Sequence, residues 1–220
     1  MLFIIVPAYN EEKNIGRVVS GLFEHGYNNV VVVDDGSDDG TSETAKGAGA
    51  EVIIHPVNRG QGAALQTGQD YAIREGAEIV VHFDGDGQFN PEDIAPAIEL
   101  INSGDCDVVL GSKLLDGRSK IPWTKRRIII PLARFLNHIF TGVKLSDVHN
   151  GFRVLNRLAL EKIEITNSGM AHNTEIVRKI REHGLKFKEH PVEVTYYKYG
   201  QGARGGLQIV FDLLISKIIK

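Results

Sequence analysis

The chain has 220 residues, 42% of them apolar and 24% charged, with a net charge of −3. That length supports one substantial core, and that balance is the one found in globular domains rather than disordered or fibrous chains. The single cysteine, Cys106, excludes an intramolecular disulfide and a cysteine-based metal site, and no uncharged apolar run approaches a membrane span.

The apolar run at residues 2–6, closed by Pro7, reads as a first strand. It is too short for a secretory core and lacks a basic start, so a cytoplasmic location is expected. Residues 14–25 read as a helix with Ile15, Val18, Val19 and Leu22 on one face. The continuous β-branched run at 30–33 is the pattern of a strand covered on both faces. A short helix at 41–46, a strand at 51–55, a helix at 62–75 and a strand at 79–83 follow. Pro91 opens a helix to residue 102, and 107–110 is a fifth strand. This alternation predicts an α/β chain with a Rossmann-like, mainly parallel sheet flanked by helices. No repeat or linker divides it, so 1–220 reads as one domain.

The second half is less regular. Residues 113–124 read as a loop, 126–140 as a helix kinked at Pro131, 173–183 as a helix and 187–197 as a strand. Residues 207–219 form an amphipathic pattern whose closing Lys217 and Lys220 suit a helix dipole. Charge also divides here. Residues 1–112 hold 5 Lys/Arg and 19 Asp/Glu, whereas 113–220 hold 20 and 9. Such a split points to a metal-nucleotide half and an anion-facing half.

The chemistry-bearing residues gather at strand ends, where open α/β sheets bind ligands. After the first strand come Tyr9, able to stack on a base, and Glu11, able to accept from a base or ribose; helix capping by Asn10 or Asn14 fits the same residues. After the second come four aspartates in six residues, Asp34, Asp35, Asp38 and Asp39, whose mutual repulsion argues against a purely structural turn. After the third, Gly60-Gln61-Gly62 precedes a helix and suits either a phosphate or a tight turn. After the fourth comes Asp84-Gly85-Asp86-Gly87-Gln88. Two hard oxygen ligands there suit Mg²⁺ or Mn²⁺ on a diphosphate, although a solvated turn fits the segment taken alone. His149 and His172 fit polar site groups or ordinary structural histidines, and Glu175 fits the favoured charge at a helix start.

Together these segments, with Pro7-Ala8-Tyr9-Asn10-Glu11 and Val33-Asp34-Asp35-Gly36-Ser37 in this order, resemble the inverting GT-A glycosyltransferases. Residues 107–112 followed by Asp147-Val148-His149-Asn150-Gly151-Phe152-Arg153 resemble the dolichol-phosphate mannose synthase branch and its polyprenyl-phosphate relatives. The resemblance implies a GT-A fold with an acceptor-side C-terminal half. It also implies metal-dependent transfer, with Mg²⁺ or Mn²⁺, of a sugar from a UDP- or GDP-linked donor to a polyprenyl phosphate. Pro7, Ala8, Tyr9, Glu11, Asp35, Gly62 and Asp84 would line the nucleotide, and Asp84, Asp86 and Gln88 the metal. Asp86, Asp147 and Arg153 would be catalytic, Asp147 as base or acceptor orienter. Lys113, Arg126, Arg127 and Arg153 would meet the acceptor phosphate.

Two departures stand out. Gly111-Ser112-Lys113 replaces the branch's Gly-Ser-Arg, and the Gly-x-Ser-Lys near the end of the catalytic domain is missing from residues 196–204; Lys198 and Arg204 are the candidates to replace its contacts. Arginines alternating with isoleucines at 126–140 suit either a core helix or a membrane interface, so attachment directly or through a separate membrane protein is expected. The competing functions are transfer to a saccharide hydroxyl, nucleotidyl transfer, which would want a basic Gly-rich loop after the first strand, and a silent nucleotide-sugar-binding module. No nucleic-acid partner is expected.

Overall fold

The computed structural model describes residues 1–119, 127, 130–148, 150–169 and 171–195. They form a seven-stranded sheet in the order β3-β2-β1-β4-β6-β5-β7, from β1 (Leu2–Ala8), β2 (Val30–Asp34), β3 (Glu51–Ile54), β4 (Ile79–His82), β5 (Val108–Ser112), β6 (Arg153–Asn156) and β7 (Phe187–Pro191). β6 alone among these strands runs antiparallel, between β4 and β5. The expected mainly parallel α/β sheet is what forms.

The helices explain the unbroken apolar strands. On one face lie α3 (Gln61–Arg74), α6 (Arg157–Lys162) and α7 (His172–Glu182), packed on Phe3, Ile5, Val31 and Val33. On the other lie α1 (Glu12–Glu24), α2 (Thr41–Gly47) and α4 (Ile94–Asn102), packed on Ile4, Val6, Val30 and Val32. Successive strand residues point to opposite faces, so a sheet covered on both sides needs apolar residues at every position. α5 (Ile130–Thr141) packs against α7.

Several expected boundaries shift for identifiable reasons. Pro7 does not end β1, which continues to Ala8 in register with Asp34. Ile4 N–H faces β2 and Ile5 C=O faces β4, so Pro7 turns its missing donor toward β4. The β1–β4 ladder has already ended there, at the Ile5–His82 pair, and no bond is lost. Pro131 is the second described residue of α5, and residues 128 and 129 before it, on which the expected kink depends, lie outside the described residues. Pro91 opens a 3₁₀ turn, Pro91–Asp93, capped by Asn90, before α4 begins. β6 and α6 were not expected. Asn156 joins them: its side chain accepts from Ala159 N–H and donates to Asp107 Oδ1, capping the helix and tying it to the β5 approach. The expected strand at 187–197 stops at Pro191, and its last two residues, the helix expected at 207–219 and residues 126, 128 and 129 of the expected α5 lie outside the described residues.

Gly68 sets how closely α3 approaches the sheet. A Cβ there would lie 2.3 Å from Ile5 Cγ2. Gly68→Ala should therefore lower the urea midpoint, because overpacking costs about 1–3 kcal/mol and outweighs the ~1 kcal/mol gained in helix propensity. Gly47→Ala, which meets nothing within 4 Å, should hold or raise it.

Candidate active site

The carboxyl ends of β1, β2 and β4 open onto one edge, and their loops are laced together before any ligand is considered. Asn10, at φ 56° the lone non-glycine residue with positive φ among those described, receives Asp38 N–H on its Oδ1 and donates its own N–H to Ser37 Oγ. Glu11 N–H donates to Thr41 Oγ1 at 2.8 Å. The crowded aspartates are tolerated because donors surround them. Asp34 accepts from Ser37 N–H and the hydroxyls of Ser37 and Ser42, and Asp39 from Thr41 and Glu12. The repulsion expected among these aspartates is thus offset by donors within the chain. Asp35, also buried, accepts from His55 Nδ1 at 2.7 Å, Arg59 N at 2.9 Å and Gly60 N at 2.6 Å. Only limited acceptor capacity remains on it for a base or ribose. Tyr9 is exposed beside this edge, whereas Pro7 and Ala8 are buried within β1.

Asp84 lies just beyond β4, separated from His82 by Phe83. Its Oδ1 accepts from Gln61 Nε2 at 2.9 Å, and Gly151 lies so close that a Cβ there would fall 2.2 Å from Oδ2. Asp86 accepts Gln88 N–H at 2.9 Å. Gly85 keeps the turn against β1: its Cβ would lie 3.1 Å from Pro7 O. Burial, then the charge of Asp86, drives the Asp84 carboxyl up to about 7, against the pull of Arg153 and Gln61. Burial also raises Asp86, and burial with the charges of Asp86 and Asp39 raises Glu11, offset by the Asn14 hydrogen bond. Burial is the leading cause at all three carboxyl groups, and like charge adds to it at Asp84 and Glu11.

Behind Asp84 stands Arg153. Antiparallel pairing sets it opposite His82, and its guanidinium donates to Asn150 O, Gly151 O and Asn173 Oδ1. Burial lowers it from 12.5 to about 10, while Asp84 and Asp147 hold it up. Among the described residues, His82 has no hydrogen-bond partner at either ring nitrogen. Burial, with the charges of Arg153 and His172, keeps it well below its ordinary 6.5 and hence neutral. Asp147 is gripped by Lys113 Nζ at 2.8 Å and by Asn150 Nδ2 at 3.2 Å. Arg153 is therefore buried behind Asp84 with its guanidinium on the protein's own oxygens, and Lys113 and Asp147 are each other's partners. Lys113 and Arg153, expected at the acceptor phosphate, and Asp147, expected as base or acceptor orienter, are thus each engaged by neighbouring groups of the chain. Arg127 is exposed. Arg126, His149, Lys198 and Arg204 lie outside the described residues.

Gly62 N–H donates to Ser168 O, and a Cβ on Gly62 would lie 2.0 Å from Asn167 O. The glycines at 60 and 62 thus admit the chain's own 167–168 segment. That segment is pinned by Glu175, which accepts from Thr166 N and Oγ1 and from Asn167 N at 2.8 Å. His172 is structural too, bonding Gly169 O at its Nδ1. Gln61, Asn150 and Asn173 also enter the site, with no role assigned to them from the sequence. Gln61 and Asn150 carry a signal, as members of Gly60-Gln61-Gly62 and of the 147–153 motif, and Asn173 does not.

Among the described residues, no group of three or more His, Cys, Asp or Glu side chains is arranged to hold a metal ion. Asp84 and Asp86 nonetheless suit a hard cation whose other ligands are water and phosphate oxygens, and their raised affinity for protons marks the charge such a cation would neutralise.

The family model of glycosyl transferase family 2 matches residues 3–164. The chain is 32% identical to the UDP-N-acetylglucosamine–dolichyl-phosphate N-acetylglucosaminyltransferase of Methanococcus voltae, over all of this chain (100%) and 97% of that one. It is 29% identical to the polyprenol monophosphomannose synthase of Mycolicibacterium smegmatis, covering 94% of this chain and 82% of that one. Its fold matches glucosyl-3-phosphoglycerate synthase of Mycobacterium tuberculosis, solved with Mn²⁺ and UDP-glucose, at a TM-score of 0.75 and 19% identity, over 98% of this chain and 78% of that one. The architecture is that of the GT-A glycosyltransferases.

Glu175 yields a pH prediction. Burial alone would raise it, but the Thr166 and Asn167 bonds outweigh burial and hold it down at about 2, from an ordinary 4.5. A depressed folded-state value adds stability that is complete above about 4.5 and lost as the pH falls toward 2. Glu175→Gln should be less stable than wild type at neutral pH, and urea melts should converge through that acid window. A pH-independent gap would contradict this account.

Proposed function

The chain belongs to glycosyl transferase family 2, and from that membership we propose that it transfers a sugar, with inversion at the anomeric carbon, from a nucleotide-sugar to a polyprenyl phosphate. The observation that carries this reading is the placement of Asp84 and Asp86, two carboxyls without an ion-pair partner among the described residues, just beyond β4 at the edge where Asp35 and Tyr9 also stand. Tyr9, Glu11 and the remaining lone pair of Asp35 would orient the nucleoside, UDP- or GDP-linked. Asp84 and Asp86, with Gln88 alongside, would hold Mg²⁺ or Mn²⁺, which when bound supplies neutralising charge to the diphosphate leaving group.

On the acceptor side, a phosphomonoester has a second pKa near about 6 and is largely dianionic at neutral pH. It needs no strong base. This suits Asp147, which is committed to Lys113 and Asn150 and would orient the acceptor approach rather than take a proton. Transfer to a saccharide hydroxyl would require a free base there. The relatives' dolichyl-phosphate and polyprenol substrates support the lipid reading.

A lipid acceptor implies a membrane surface. No helix among the described residues is long and apolar enough to cross one. α5 offers an interfacial face instead: Leu132, Phe135 and Ile139, spaced three and four apart, are 49%, 62% and 57% exposed. Its opposite side is tied inward, with Asn137 Nδ2 on Val143 O and Thr141 O accepting from Arg181. Arg127 stands exposed just before it, and Arg126, Lys198 and Arg204 are further cations for headgroup or acceptor phosphate.

A panel of UDP- and GDP-sugars with a short polyprenyl phosphate and Mn²⁺ should give one glycosyl-phospholipid by product mass; transfer confined to saccharide hydroxyls would refute the acceptor. Asp86→Ala should cut Mn²⁺-dependent transfer by roughly a hundredfold or more with unchanged circular dichroism. Phe135→Glu should lower co-flotation with anionic vesicles while leaving nucleotide affinity intact, and equal flotation would remove α5 from the interface.

A further inference from the structure

We infer that Gln61 is a positioning residue of the donor site, fixing the Asp84 carboxylate through a turn that also holds Asp35. The inference deepens the donor-site reading above and rests on it. Asp35 and Asp84 leave different strands, β2 and β4, and β1 lies between those strands. One short turn touches both. Its backbone N–H groups at Arg59 and Gly60 donate to Asp35, and the next side chain, Gln61, donates Nε2–H to Asp84 Oδ1 at 2.9 Å.

The turn is held from behind. Gly60 has φ +92°, and a Cβ on it would lie 2.4 Å from Ser168 O; Gly62 N–H donates to that same oxygen at 2.8 Å. Glu175 secures the 166–167 backbone beneath it. Gln61 therefore starts α3 from a backbone clamped on one side by Asp35 and on the other by the 167–168 segment. Its amide has little freedom except to meet Asp84.

The choice of an amide has a chemical consequence. A neutral donor orients a carboxylate without cancelling its charge. With Gly151 against Oδ2 and Gln61 on Oδ1, Asp84 is set in one rotation about its terminal bond, which presents its remaining lone pairs in a fixed direction to a divalent cation.

The test is calorimetric and needs no turnover. Wild type, Gln61→Met and Asp84→Asn are titrated with UDP and, in parallel, GDP, with and without Mn²⁺. Methionine keeps the length and loses the donor. Loss of a hydrogen bond to a charged group should weaken Mn²⁺-dependent nucleotide affinity roughly tenfold, leave metal-free affinity and melting temperature unchanged, and raise the donor KM without moving the acceptor KM. Equal Mn²⁺-dependent affinity in wild type and Gln61→Met, with Asp84→Asn impaired, would overturn the role of Gln61 alone. Intact affinity in Asp84→Asn would overturn the donor-site reading and this inference with it. Should Gln61→Met lower the melting temperature, Gln61→Leu decides by the same criteria.

Discussion

A carboxylate at the end of a buried strand must find positive or donating neighbours, and the way Asp84 finds them organises this molecule. The sheet inserts one antiparallel strand, β6, beside β4, which brings Arg153 opposite His82 and Gly151 against the Asp84 oxygens. Gln61 approaches from α3. A fully compensating ion pair would have left Asp84 with a depressed pKa. Instead it stands at about 7, because burial and Asp86 outweigh the buried guanidinium and the amide. Compensation is partial by construction, and the residual charge sits at the open edge of the sheet.

The same distinction, between charges consumed inside the protein and charges left over, refines the division into an acidic and a basic half. In the acidic half, Asp34, Asp35 and Asp39 are consumed by hydroxyls, backbone N–H groups and His55. Glu11, Asp84 and Asp86 are the ones whose proton affinity is raised. In the basic half, Lys113 holds Asp147, Arg118 bridges Asp93 and Asp116, and Arg157 pairs with Glu161. The positive surplus is thus smaller at the surface than the residue count suggests. Most of these pairs brace the β5–β7 side, where Ser112, Ser146 and Glu189 add a hydrogen-bonded chain.

Local periodicity carried the fold. Runs such as Val30-Val31-Val32-Val33 and the α1 stripe state burial directly, and the order of alternation determines a parallel sheet. β6 escaped because it is four residues long, begins with a buried arginine, and runs straight into α6 without a turn. Its antiparallel placement depends on which neighbours it pairs with, a long-range fact that no period encodes. Site residues divided the same way. The position of Asp84 and Asp86 just beyond a strand at the sheet edge was readable, because the apolar run before them marks that strand. The burial of Arg153 and the pairing of Lys113 with Asp147 across 34 positions were not, since an arginine or lysine in a motif looks alike whether it faces a ligand or an internal carboxylate.

Glycine shows the limit most clearly. A Gly-x-Gly ahead of a helix announces that something comes close to the backbone, because only the missing Cβ permits it. It does not say what comes close. At Gly60 and Gly62 the visitor is the protein's own Asn167–Ser168 segment, and at Gly151 it is the Asp84 carboxylate. Both contacts restrict the backbone and side chains beside Asp35 and Asp84. What comes close to a given glycine is decided by where the rest of the chain lies, and at Gly60 and Gly62 it is a segment secured by Glu175, more than a hundred residues further along the sequence.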